Sequence, residues 1–346
     1  MMKKILFYFA AVCTMAFAVS CQQEKLDAPA ANDRDLVEVT FELSANDLQT
    51  KGVIGHDPTF IKDLKVGVYR NGNYLPEVKP KVSEEFGRGL TAKVSVVLVK
   101  GQTYDIAFWA DHTGNPYYEV DFTAGQPGNK FPLVTVDYTE GEANNIYRDA
   151  WCAVLKNYHV KDDSSEGVSV KLNRPFAQIN VGTRDYKLAQ KAGVTVTASS
   201  MKIVGVPDQL NMFTGETFNS TANTEVLFER SAIPGGTLTV YYNDETKTAE
   251  YDYLSMNYIL VSNQPNSDKG LVEVYIDFYE DGNDVRINDE IKVVSVPVRA
   301  NYRTNLIADD VLTQAFDFNV VIDPNFDGEF TGWNPNYDKV EYPEKQ

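Results

Sequence analysis

Apolar and polar positions alternate with a period of two along much of this chain. Val37, Val39, Phe41 and Leu43 alternate with Glu38, Thr40 and Glu42, and Val168, Val170 and Leu172 with Ser169 and Lys171. The same rhythm runs through Val94, Val96 and Leu98, and through Val272, Val274, Ile276 and Phe278. Successive side chains of a strand point to opposite faces, so this pattern predicts strands with one face in a core and one in water. Runs rich in β-branched and aromatic residues add strand candidates at 64–70, 103–110, 117–122, 176–182, 193–204, 237–243, 252–261, 291–298 and 316–322. Asn71-Gly72-Asn73 and Asp281-Gly282-Asn283 read as hairpin turns, and Pro234-Gly235-Gly236 as a loop. Helix signals are few: a short helix over 185–191, capped by Thr183 and ended by Gly193, and a turn of helix over 142–148. Many short strands with little helix predict an all-β fold built of β-sandwiches.

The polar stretch Lys161–Gly167 is the best internal boundary, which places one sandwich in 36–165 and a second, with its tail, in 166–346. From Asp323 onward Pro324, Pro335 and Pro343 make poor material for a central strand. The N-terminus breaks the alternation. Lys3 and Lys4 precede an apolar run from Ile5 to Val19. That run is shorter than the roughly 20 residues a bilayer requires, so 1–20 reads as a signal peptide. The run closes in Ala18-Val19-Ser20-Cys21, small residues before a cysteine that resemble a bacterial lipobox. Cys21 is then the lipidated first residue of the mature chain, and the polar segment 21–35 a flexible tether.

A formal net charge of −17 argues against nucleic acid as a partner, because phosphate binding requires a basic face. Cys13 leaves with the signal and Cys21 takes lipid, so Cys152 has no disulfide partner and reads as a buried, inert thiol. His56, His112 and His159 stand far apart, without metal-ligand spacing. Asp281, Asp284, Asp289 and Glu290 crowd together without the ordered oxygens of a calcium loop. No nucleophile elbow, phosphate-binding glycine loop or zinc-protease helix motif occurs. The reading is therefore of a non-enzymatic protein with no catalytic residue, metal or cofactor. The many Tyr, Phe and Trp side chains read as core before they read as a platform for sugars.

Four stretches together resemble the Bacteroidales type V pilins, the FimA/Mfa-like fimbrial subunit lipoproteins. They are Val37–Leu43 followed by Gln49-Thr50-Lys51-Gly52-Val53, then Lys100–Asp111, Leu172–Val181 and Pro297–Leu306. The resemblance implies two transthyretin-like, Greek-key β-sandwich domains, export to the outer membrane and cell surface, and partners among other pilin-like subunits. It implies an adhesive role toward a host or bacterial surface ligand. It also implies proteolytic processing at Lys51 and Gly52, where the family usually has arginine, and a first strand (Val37, Val39, Phe41, Leu43) that a neighbouring subunit's strand replaces. Shaft, anchor, tip and accessory roles all stay open. The alternative function is a glycan-binding outer-membrane lipoprotein serving polysaccharide uptake.

Overall fold

The computed structural model describes residues 35–45, 61–86, 91–112, 114–139, 141–161, 167–241, 248–261, 270–280, 286–287, 289–313 and 318–323. Within these residues the chain is all-β, with one short helix, α1 (Tyr186–Lys191), and a 3₁₀ turn at Ile146–Arg148. The signal peptide, Cys21, the tether up to residue 34, Lys51, Gly52, His56, the 281–283 turn and the proline-containing tail lie outside the described residues.

The first sandwich packs two four-stranded sheets. One runs β10 (Val168–Leu172), β1 (Leu36–Ala45), β5 (Thr91–Val99), β4 (Lys81–Glu84). The other runs β3 (Asn73–Tyr74), β2 (Ile61–Arg70), β6 (Thr103–His112), β9 (Trp151–His159). Their facing positions are the alternating apolar residues of the sequence: Val39, Phe41 and Leu43 meet Val66, Val68, Ile106 and Phe108 in one core.

The second sandwich sets a five-stranded sheet against a four-stranded one. The former is β16 (Thr237–Tyr241), β17 (Thr248–Leu260), β11 (Phe176–Thr183), β20 (Arg303–Ala308), β21 (Asn319–Asp323). The latter is β15 (Glu225–Ala232), β12 (Val196–Val204), β18 (Leu271–Glu280), β19 (Ile291–Pro297). Ile179, Val181, Met201, Ile203, Val274, Ile276 and Phe278 fill the space between them.

A fifth sheet joins the two: β14 (Thr217–Phe218), β13 (Gln209–Asn211), β8 (Asn129–Val136), β7 (Tyr118–Gln126). Its inner residues Tyr118, Val134, Val136 and Leu210 share a third core with Ala107 and Trp109 from β6 and with Phe176, Tyr253, Tyr258 and Leu260 from β11 and β17. Strands β6 and β11 are thus covered on both faces. Every residue of β11 is buried, so the polar side chains at its alternate positions, Gln178 and Asn180, are taken out of water with the strand.

The polar stretch at 161–167, of which 162–166 lie outside the described residues, does not separate the sheets cleanly. β10 follows it yet pairs in parallel with β1, from Phe41↔Val168 to Ala45↔Leu172. β13 likewise follows it and pairs with β8.

Local expectations meet mixed outcomes. Asn71 and Gly72 have φ of 50° and 69°, and they join β2 to β3 as the hairpin turn requires. Gly235 and Gly236 take φ of 68° and 70° in the loop before β16. The helix after Thr183 forms, but Asp185 holds the N-cap position and its side chain does not cap. That carboxylate instead accepts the backbone N–H groups of Leu312 and Thr313, each at 2.9 Å, tying the helix start to the chain after β20. The expected turn over 142–148 shrinks to the 3₁₀ turn, capped by Asn145. Its first residue, Glu142, forms a β-bridge to Glu229 instead.

Candidate assembly strand and surface cleft

β1 is inserted between two neighbours. On one side it pairs antiparallel with β5 over nine positions, from Leu36↔Val99 to Ser44↔Thr91; on the other it pairs in parallel with β10. The period-two pattern turns Val39, Phe41, Leu43 and Ala45 inward, each at most 2 % exposed, while Val37 is half-buried against the same core. Phe41 is the centre of the contact. Its ring meets Phe108 edge-on at 5.4 Å and Tyr158 at 5.6 Å. The outer face is polar: Thr40 and Ser95 hydroxyls lie 2.9 Å apart, and Lys93 reaches Glu42 at 3.7 Å. Both members of that ion pair are half-exposed, so it adds little. The strand is therefore held by burial and two hydrogen-bonded ladders. Its absence would leave an apolar groove with two unpaired edges.

The other sequence stretches converge at the junction of the sandwiches. Lys100–Asp111 runs into β6. Leu172–Val181 spans the end of β10 and most of β11, and Pro297–Leu306 leads into β20. Between them sits a buried polar cluster that period-two reasoning did not single out. Arg174 Nε–H donates to both carboxylate oxygens of Asp149, at 2.7 and 3.0 Å, and its guanidinium lies 4.5 Å from the Trp151 ring. The Arg174 backbone N–H donates to Asn301 Oδ1 at 3.2 Å. Asn180 donates to Asn305 at 2.8 Å, and Gln178 donates to the Tyr258 hydroxyl at 2.9 Å. Burial pushes the Tyr253 and Tyr258 hydroxyls above the ordinary tyrosine range, so both stay protonated. Removing one partner of the buried Arg174–Asp149 pair would leave the other as an uncompensated buried charge. The sequence signal for this cluster is polar residues at inward positions: Arg174, Asn180 and Asn305.

The remaining candidate side chains scatter. His112 lies against Tyr147, ring centroids 4.5 Å apart and tilted by 50°, and His159 lies at the exposed end of β9. Among the described residues no three His, Cys, Asp or Glu side chains gather as metal ligands. Cys152 is buried, and burial alone pushes its thiol up to about 12, leaving too little thiolate for a nucleophile. Trp109 and Trp151 lie in cores and offer no surface for a sugar to stack upon.

A surface cleft of about 670 Å³ opens where the fifth sheet meets the edge of the second sandwich. One wall is Val136 at the end of β8 and the segment 137–139 that follows it; the other is Glu225–Leu227 and Glu229 of β15. Asp137 stays ionised, because the hydroxyl and backbone N–H of Thr139 hydrogen-bond its carboxylate and lower its pKa. Asp208, on the same cleft, accepts the Ser220 backbone N–H at 2.7 Å and the Ser220 hydroxyl.

A model of a protein family of unknown function, DUF6562, matches residues 32–341. The chain belongs to this family. The match takes in all of the described strands, so both sandwiches and the joining sheet are DUF6562 architecture. No curated protein matches the sequence. Among solved structures, the DUF6562 chain is similar to the tip fimbrial protein Mfa3 of Porphyromonas gingivalis, truncated at its C-terminus. The identity is 11%, the TM-score 0.44, and 83% of this chain and 99% of that one are covered. It is similar at the same TM-score of 0.44 and 10% identity to a Bacteroides ovatus protein put forward as a cell adhesion protein, over 83% of this chain and 97% of that one. The fimbrial anchor protein Mfa2 of P. gingivalis aligns at 11% identity and a TM-score of 0.36, over 83% and 97%.

Proposed function

We propose that this DUF6562 protein is a non-enzymatic, lipid-anchored component of a cell-surface fimbria, with β1 as its exchangeable assembly strand. The observation that carries the reading is the insertion of β1 between β5 and β10, with its apolar face in the core of the first sandwich. Burying each of Val39, Phe41 and Leu43 contributes about 1.5–3 kcal/mol. Losing the strand would therefore remove a large part of a domain's stability of roughly 5–15 kcal/mol. An incoming strand with similar residues restores that burial and satisfies both edges, which is strand addition. Lys51 and Gly52 follow β1 in sequence, so cleavage there would leave the strand held only by non-covalent contacts. Lipid on Cys21 would keep the uncut protein on the outer membrane through several acyl chains, where a single chain binds only marginally.

The test has two parts. The mass of the N-terminus of protein isolated from cells reads both proposals at once: lipid on Cys21, or a chain beginning at Gly52. Limited digestion with a lysine-specific protease, followed by sizing, then reads assembly. Ordered oligomers that Phe41→Asp prevents support exchange; a cut protein that stays monomeric with β1 bound overturns it.

A further inference from the structure

The strand directions around β1 set how the fold carries load. β1 enters the first sandwich at Leu36, and its neighbour β10 leaves toward the second sandwich at Leu172. The two run parallel, with Ala45 opposite Leu172. The N-terminal chain and the second sandwich are therefore attached at opposite ends of one ladder, about 30 Å apart at roughly 3.3 Å per residue. The Lys100 N–H donates to the Asp35 carbonyl at 2.8 Å, which fixes the phase of the hydrogen bonds. Val37, Val39, Phe41 and Leu43 bond β5, and the backbone groups of Thr40, Glu42 and Ser44 face β10. A force that pulls the N-terminus away from the second sandwich acts along β1, across these bonds. It loads nine register positions toward β5 and five toward β10 together. A slip of one residue would turn Val39, Phe41 and Leu43 out of the core.

The far end of β10 is held as well. Asn173 exchanges both backbone hydrogen bonds with Cys152, at 2.8 and 2.9 Å. Arg174 is fixed through its side chain to Asp149 and through its backbone N–H to Asn301. β10 is thus pinned to the first sandwich at the end where the second one pulls. We propose that the β1–β10 pair is a shear clamp, which in the uncut chain keeps the first sandwich closed under tension between the N-terminus and the second sandwich. That tension enters at the N-terminus rests on the lipid anchor proposed for Cys21. The clamp itself follows from the strand directions and stands or falls separately. Antiparallel neighbours pulled apart at a shared end, such as Leu36 and Val99, open one bond at a time and resist far less.

The test pulls single molecules of the full mature chain, unlipidated, in two geometries. One handle sits on the Cys21 thiol. The other sits on Lys191→Cys, at the exposed end of α1 in the second sandwich, or on Lys100→Cys, beside the start of β1. Forced unfolding reads the unfolding rate under load. At one loading rate, the first rupture should need several-fold more force in the Lys191 geometry than in the Lys100 geometry. Ser44→Pro removes a backbone N–H that faces β10, at the end of β1 far from Leu36. It should lower the first force and leave the second unchanged. Equal forces in the two geometries, or a Lys191 force that Ser44→Pro does not lower, would overturn the clamp. A native N-terminus without lipid on Cys21 would remove the anchor and leave these forces as they are.

Discussion

At the scale of the residue, the informative side chains are the polar ones taken out of water. Asp111 is fully buried at the end of β6, where it accepts the Trp109 indole N–H at 2.7 Å and faces Lys65 at 3.5 Å. Burial raises its pKa above the ordinary 3.8, outweighing the lowering by Trp109 and Lys65. The sign follows from linkage. As pH rises, the unfolded chain releases this proton first, so Asp111 favours folding most below the unfolded value and progressively less as pH passes through the folded one. Asp111→Asn keeps an acceptor for Trp109 and removes the titration. We expect urea unfolding of this variant to lose less stability than the parent between pH 3.5 and 7. Equal pH dependence in the two proteins would place the charge of Asp111 outside the balance. By contrast, no chemistry is assigned to Cys152, because a buried thiol beside no base remains a small apolar group.

At the scale of the element, single packing contacts decide where strands sit. Gly67 on β2 faces the joining sheet. A Cβ there would lie 2.4 Å from Cδ1 of Phe122 on β7, whose ring stacks on Tyr74 with centroids 5.7 Å apart. Gly67→Ala must push that ring off Tyr74, and overpacking of this kind costs about 1–3 kcal/mol. The expected readout is a lower melting temperature, and an unchanged one would mean that Phe122 moves freely. Strands with one wet face were legible in the sequence: β1, β5, β10 and β18 are the four alternating runs, and each lies where alternation predicts. Others were not. β8 contains Pro132, which argues against a strand in a sheet interior, yet the residue is accommodated there. β15 reads EVLFERSA, where alternation holds for only half its length before the chain turns polar. The cleft depends on β15 and was therefore invisible, whereas β1, resting on the clearest alternation in the chain, was visible.

At the scale of the whole molecule, the chain order and the sheet order are interleaved. β10 leads through Asn173 and Arg174 directly into β11, so one strand run begins beside β1 in the first sandwich and ends inside the second. β6 links them from the other side, with Phe108 against Phe41 in the first core and Trp109 against Phe176 in the shared one, centroids 6.4 Å apart. β1 thus pairs with the strand that leads directly into the second sandwich. Two independently folding halves meeting near residues 161–167 would require sheets that close on each side of that point. Instead, 36–161 alone lacks β10, leaving β1 a bare edge, and lacks β13, leaving β8 another. It also exposes Trp109 and Tyr118, which the shared core buries. The expectation is that 36–161 and 162–346, expressed separately, are each aggregation-prone and fold only when mixed, while the intact chain unfolds in one calorimetric transition. Two separate transitions in the intact chain, or a soluble 36–161 with native hydrogen-exchange protection in β1 and β8, would show instead that the shared core is a contact between finished domains.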